Sequence, residues 1–236
     1  MRVLFLHGWG LDASLWDGVR AALPEFEAVA WDRGYFGPPM IDPVDGPVLA
    51  VGHSLGAMLL AGMRGMSGLV AVNGFDRFAG EDAVPVRVVE RMRKRFGEAP
   101  AEVLADFRAR IGAGPAPERI EQERLAADLE ILAHPPLQGE GDRPQGGGGV
   151  ATPEAACFVD TWSTPPPACG WSPSPCRGGF TVRTLVLHGG ADPLLPPAMR
   201  DAVFAGAPRE TLAGGGHLLP LTHPEWVAAR IRAFAA

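Results

Sequence analysis

The chain has 236 residues, of which 47% are hydrophobic, and a formal net charge of −6. That length suits one compact core with a small insertion rather than two full domains. The acidic balance argues against a nucleic-acid binder, because neutralising phosphates takes a basic face that the molecule as a whole lacks.

The chain opens on "MRVLFLHGWG", whose apolar run is shorter than a signal-peptide core and passes directly into a glycine turn. No later segment offers about 18 unbroken apolar residues. A soluble, cytoplasmic protein without membrane association is expected. Short apolar runs follow at Val3 to Leu6, Ala28 to Trp31, Val48 to Val51, Leu69 to Asn73, Thr184 to His188 and, more weakly, Arg209 to Leu212. They do not alternate with polar residues, so they read as buried strands. Stretches able to form helices lie between them, at Ser14 to Leu23 and Leu55 to Met66, and a last helix is predicted from Pro224. This alternation predicts an α/β fold with a mainly parallel sheet of about six strands covered on both faces.

Residues 81–138 break the alternation, since "VPVRVVERMRKRF", "PAEVLADFRARI" and "PERIEQERLAADLEIL" all carry helical spacing without an intervening strand. They are expected to form a helical lid inserted into a core made of residues 1–80 and 181–236. Residues 139–180 are rich in Gly and Pro, show almost no apolar periodicity and hold Cys157, Cys169 and Cys176, the only cysteines. We expect a disordered low-complexity insertion or a frame-shifted stretch there. An odd number of cysteines without a C-x-x-C pair supports neither a disulfide framework nor a zinc site.

The chemistry is carried by "VLAVGHSLGAMLL", where G-x-S-x-G sits between a predicted strand and a predicted helix. In that setting it is a nucleophile elbow, which lifts the hydroxyl of Ser54 above the sheet. A serine hydroxyl is a weak nucleophile and needs a base. "LAGGGHLLPLTHPEW" offers His217, on a glycine loop after the last strand, and His223, just before Pro224. Loop placement favours His217, while His223 suits the start of the final helix. Asp192, in the turn of "HGGADP", is the favoured acid to orient the base, with Asp76 and Asp32 as rivals on earlier strand turns. The backbone N–H groups of Trp9, in the "HGWG" turn, and Leu55 are the expected oxyanion donors. His53 reads as a packing residue of the elbow.

These residues resemble the α/β-hydrolase superfamily. "HGWGLDASLW", "SLGAMLL", "ADLEIL", "ADPLLPP" and "GGGHLLPLTHPE" resemble its pimeloyl-[acyl-carrier protein] methyl ester esterases in particular. The resemblance covers residues 1–138 and 181–236. It implies a cytoplasmic, monomeric serine carboxylesterase of biotin synthesis that needs no metal or organic cofactor. It also implies an acyl channel lined by Trp9 and Phe107, so that Trp9, Ser54, Leu55, Phe107 and His217 contact substrate. Two departures stand out: "WDRGYFGPP" replaces the family's "DLPGFGRS"-like turn, and two carrier-gripping lid arginines fall on Glu102 and Asp106. A different cluster, Arg87, Arg91, Arg93, Lys94 and Arg95 against Glu90, could steer an acidic carrier protein or simply be a solvated helix face. A general short-chain esterase and a non-catalytic ligand-binding protein of the same fold are the alternatives.

Overall fold

The computed structural model describes residues 1–134 and 182–236. Its strands are β1 (Arg2–Leu6), β2 (Glu27–Trp31), β3 (Val48–His53), β4 (Met66–Val72), β5 (Thr184–Gly189) and β6 (Arg209–Leu212). All pairings are parallel, in the order β2-β1-β3-β4-β5-β6. The mixed α/β architecture expected from the sequence is therefore present. The residues proposed as an insertion over 139–180 lie outside the described residues.

Successive strand residues feed two separate cores. Val3 and Phe5 of β1 pack on one face with Leu49, Val51, Val70 and Val72. That face is covered by α1 (Asp17–Ala21), α7 (Leu219–Thr222) and α8 (Pro224–Ala235), which contribute Val19, Leu219 and Ile231. Leu4 and Leu6 join Ala50, Leu69 and Ala71 on the other face. There the cover comes from α2 (Leu55–Ala61), α6 (Pro197–Ala202) and the three helices between β4 and β5: α3 (Val86–Glu98), α4 (Pro100–Ile111) and α5 (Gln122–Ala133). Burial on both faces is why the strand sequences are continuously apolar.

Three expectations shift. The edge strands β2 and β6 are only partly buried, because each has a neighbour on one side alone. The helix expected to reach Met66 stops at Ala61, with Gly62 as its cap, and Gly65 at φ 80° turns the chain so that Met66 already belongs to β4. The stretch from Ala13 also divides, into a 3₁₀ turn over Ala13–Trp16 capped by the Asp12 side chain and the short α1.

The topology selects where a ligand can sit. From β1 the chain steps outward to β2 and then returns to the other side of β1 as β3. Connections therefore run to opposite sides beyond the carboxyl ends of β1 and β3, and open parallel sheets form their crevices at such a reversal. The "HGWG" turn leaves β1 and the Ser54 turn leaves β3 at this point, with Leu6 and Gly52 in register.

Candidate active site

Ser54 is the single residue between β3 and α2, with φ 54° and ψ −122°. A non-glycine residue rarely adopts that backbone, so its neighbours must enforce it. They do so by close approach. A Cβ on Gly52 would lie 2.3 Å from Ala57 Cα, and one on Gly56 would lie 2.3 Å from the Leu6 carbonyl oxygen. The Ser54 N–H donates to the Val72 carbonyl at 3.1 Å, tying the elbow to β4. Leu55 opens α2, so its N–H has no acceptor within the helix and can serve an anion. Ser54 itself is 7% exposed.

Asp192 follows β5, and its Oδ2 accepts from His217 Nδ1 at 2.8 Å. The other oxygen accepts from the Leu194 N–H at 2.8 Å. An ionised carboxylate only accepts, so Nδ1 carries the proton and Nε2 is left as a base. Burial opposes ionisation of Asp192, but the bond and charge of His217 outweigh it and hold the carboxyl below its ordinary range. His223 lies elsewhere, as the N-cap of α8 with Nδ1 against the Thr222 hydroxyl at 2.8 Å. Asp76 takes no part in the His217 pair.

Asp32 holds a different turn together. It accepts from the N–H groups of Ala13 at 2.9 Å and Gly34 at 2.7 Å. Burial raises its pKa, but the adjacent His7 ring and these two N–H groups prevail and lower it from 3.8 to about 2. A group depressed in this way adds stability that is complete above its unfolded pKa and is lost as pH falls through the folded one. The thermal-stability gap between wild type and Asp32→Asn is expected to be open near pH ~6 and to close between pH ~4 and ~2. Unfolding temperatures across that range check it, and a gap independent of pH would contradict it.

The Trp9 turn is held from three directions. A Cβ on Gly8 would meet Ser54 Cβ at 2.9 Å, so the turn packs directly on the elbow. His7 Nε2 accepts the Arg33 backbone N–H at 3.0 Å. Trp9 Nε1 donates to the Leu125 carbonyl on α5 at 2.8 Å. The Trp9 ring meets Phe107 of α4 edge-on at 4.8 Å and Phe96 of α3 at 5.9 Å. The structure thus brings both Phe107 and Phe96 against Trp9, and Phe96 has no distinguishing motif in the sequence.

Sequence reasoning also missed an ionic clamp beneath the α3–α5 helices. Asp128 of α5 is fully buried and accepts from Arg33 Nε at 2.9 Å, from Arg33 Nη2 and from the Tyr35 hydroxyl. Arg33 and Tyr35 belong to "WDRGYFGPP", and Asp128 to "ADLEIL". The first segment stands out as a departure from the family's turn and the second as a likeness to the family, but nothing in the spacing pairs them.

The basic cluster on α3 is partly neutralised. Arg93 pairs with Glu90 and Glu130, and Arg95 with Asp106, while Arg87, Arg91 and Lys94 are exposed. No group of His, Cys, Asp or Glu suited to a metal ion occurs among the described residues. No helix of the described residues is long and apolar enough to cross a membrane.

This fold, with a strained serine turn and a buried His–Asp pair beyond a parallel sheet, defines a class. The chain belongs to the alpha/beta hydrolase family, whose profile matches residues 3–230. Among solved structures, it is similar to a thermophilic esterase from Thermogutta terrifontis at 18% identity and TM-score 0.65, covering 100% of this chain and 89% of that one. It is similar to an esterase from Exiguobacterium antarcticum at 15% identity and TM-score 0.67, covering 99% and 91%. An enol-lactonase from Burkholderia xenovorans matches at 16% identity and TM-score 0.59, covering 99% and 91%. At such identities these likenesses establish the fold alone. No curated protein sequence matches the chain significantly.

Proposed function

We propose that the protein is a serine carboxylesterase. The observation that carries this reading is Ser54 held at φ 54° beyond β3, with His217 bonded to Asp192 by Nδ1 and free to act as a base through Nε2. Ser54 Oγ attacks the acyl carbon as His217 takes its proton, and the N–H groups of Trp9 and Leu55 receive the oxyanion. The proton passes to the leaving alcohol, an acyl-Ser54 ester remains, and water activated by His217 releases the acid.

The substrate we favour is a pimeloyl-[acyl-carrier protein] methyl ester. Its support is the resemblance of "HGWGLDASLW" and "ADLEIL", together with Arg87, Arg91 and Lys94 exposed on α3 for an acidic carrier. Trp9 and Phe107 would flank the acyl chain. In this reading α3–α5 are the lid, spanning residues 81–138, over a core of 1–80 and 181–236, and the protein works as a cytoplasmic monomer. Turnover of the carrier-bound methyl ester is expected to exceed that of a free short-chain aryl ester and to fall with added salt. Equal, salt-insensitive turnover of the two would instead make the protein a general short-chain esterase.

A further inference from the structure

The carbonyl oxygen of His217 is held unusually well. It accepts from Asn73 Nδ2 at 2.7 Å and from His53 Nε2 at 2.9 Å. Both donors are fully buried. A carbonyl has two lone pairs, so its acceptor capacity is filled from two sides.

Each donor reaches a different part of the site. His53 immediately precedes Ser54, at the end of β3. Asn73 follows β4, where its own N–H donates to the Leu187 carbonyl at 2.7 Å. Its side-chain oxygen accepts the Gly189 N–H at the end of β5 at 2.7 Å, and Nδ2 also donates to the Gly216 carbonyl at 2.9 Å. One carboxamide therefore joins the strand that leads to Asp192 with the loop that carries His217. Asn73 has φ 44°, a conformation that asparagine tolerates better than most residues.

The imidazole of His53 is an expensive choice for a packing residue. Its Nδ1 has no hydrogen-bond partner among the described residues. Burial, reinforced by the neighbouring His217, pushes its pKa down to about 3, so the ring is neutral near pH 7. The acceptor is a carbonyl, hence Nε2 carries the proton. A phenyl ring would fill the same space without burying a bare nitrogen. What phenylalanine lacks is the donor to His217.

We propose that His53 and Asn73 are positioning residues that clamp the backbone of His217, so that its ring is fixed from behind while Asp192 fixes it from the side. This rests on the reading of His217 as the base. The ring of His53 stands 4.7 Å from that of His217 at 62°, which adds an edge contact to the same restraint. A displaced base loses rate steeply, since an error near 1 Å can cost about 100-fold.

The test uses the full-length chain with His53→Phe, His53→Gln and Asn73→Gly, the last retaining freedom at the positive φ. kcat and KM on a short-chain aryl ester are measured together with the downfield proton resonance of the His217 Nδ1–Asp192 bond. His53→Phe and Asn73→Gly are expected to lower kcat by up to about 100-fold with KM little changed, and to shift or broaden that resonance. His53→Gln, which keeps an N–H donor, is expected to recover much of both. Wild-type kcat and an unmoved resonance in His53→Phe overturn the proposal. So does a loss that follows melting temperature and is not relieved by glutamine. The resonance reports the clamp whether or not Ser54 is the nucleophile, whereas Ser54→Ala tests the nucleophile alone.

Discussion

Replacing Ser54 by alanine is expected to lower kcat for a short-chain aryl ester by about 10⁶-fold while leaving the melting temperature close to that of wild type. The first part follows from chemistry, because Oγ is the atom that would form the acyl bond and no other group stands in its place. A residual acceleration of about 10³–10⁴ over water is expected from the oxyanion donors and from binding. The second part follows from the structure. The Ser54 side chain makes no capping hydrogen bond to α2, and the glycines that impose its backbone remain. A variant that is folded yet keeps more than about a hundredth of wild-type kcat would remove Ser54 from the mechanism. Covalent labelling by a fluorophosphonate, lost in the same variant, gives an independent reading.

Asp128→Leu is expected to cost about 3–5 kcal/mol of stability, because it takes a carboxylate away from a buried guanidinium. The side chain of Arg33 is 14% exposed and that of Asp128 is 0% exposed, so water replaces the lost partner only in part. The Tyr35 hydroxyl loses its acceptor at the same time. Joining Arg33→Met to Asp128→Leu is expected to recover most of the loss, since replacing both charges of a buried pair with apolar groups is often neutral or better. Denaturant titration of the two single variants and the double variant checks this, and equal loss in Asp128→Leu and the double variant would rule it out. Leu125, one helical turn before Asp128, accepts the Trp9 indole, so the single variant should also lose activity more than its unfolded fraction accounts for.

The sheet was legible because burial on both faces leaves continuous apolar runs, and six such runs became six strands. The elbow was legible because its needs are local: a serine between glycines with a strand before and a helix after. Gly52 and Gly56 now have separate reasons, one facing Ala57 and the other the Leu6 carbonyl. Helix ends were less legible, since Met66 is as compatible with extending α2 as with opening β4 until the turn at Gly65 decides. The contacts of Asn73 with His217 and of Arg33 with Asp128 were hidden for a different reason. They join segments far apart in sequence, and neither residue type announces a distant partner. His53 reads from sequence as a packing residue of the elbow, because its bond to the His217 carbonyl depends on where the His217 loop lands.

The pairing of β4 with β5 carries a cost that the other strand pairs do not. Residues from Leu69 to Val72 lie against Thr184 to Leu187, so the chain must close over α3–α5 and all that follows before this ladder can form. Such a closure comes late in folding. Asp192 and His217 both lie beyond it, whereas Ser54 and the Trp9 turn lie before it. Partial unfolding that freed β5 and β6 would leave an assembled elbow without the histidine proposed as its base, and the proposed hydrolysis is then expected to fail while much of the amino-terminal sheet still stands.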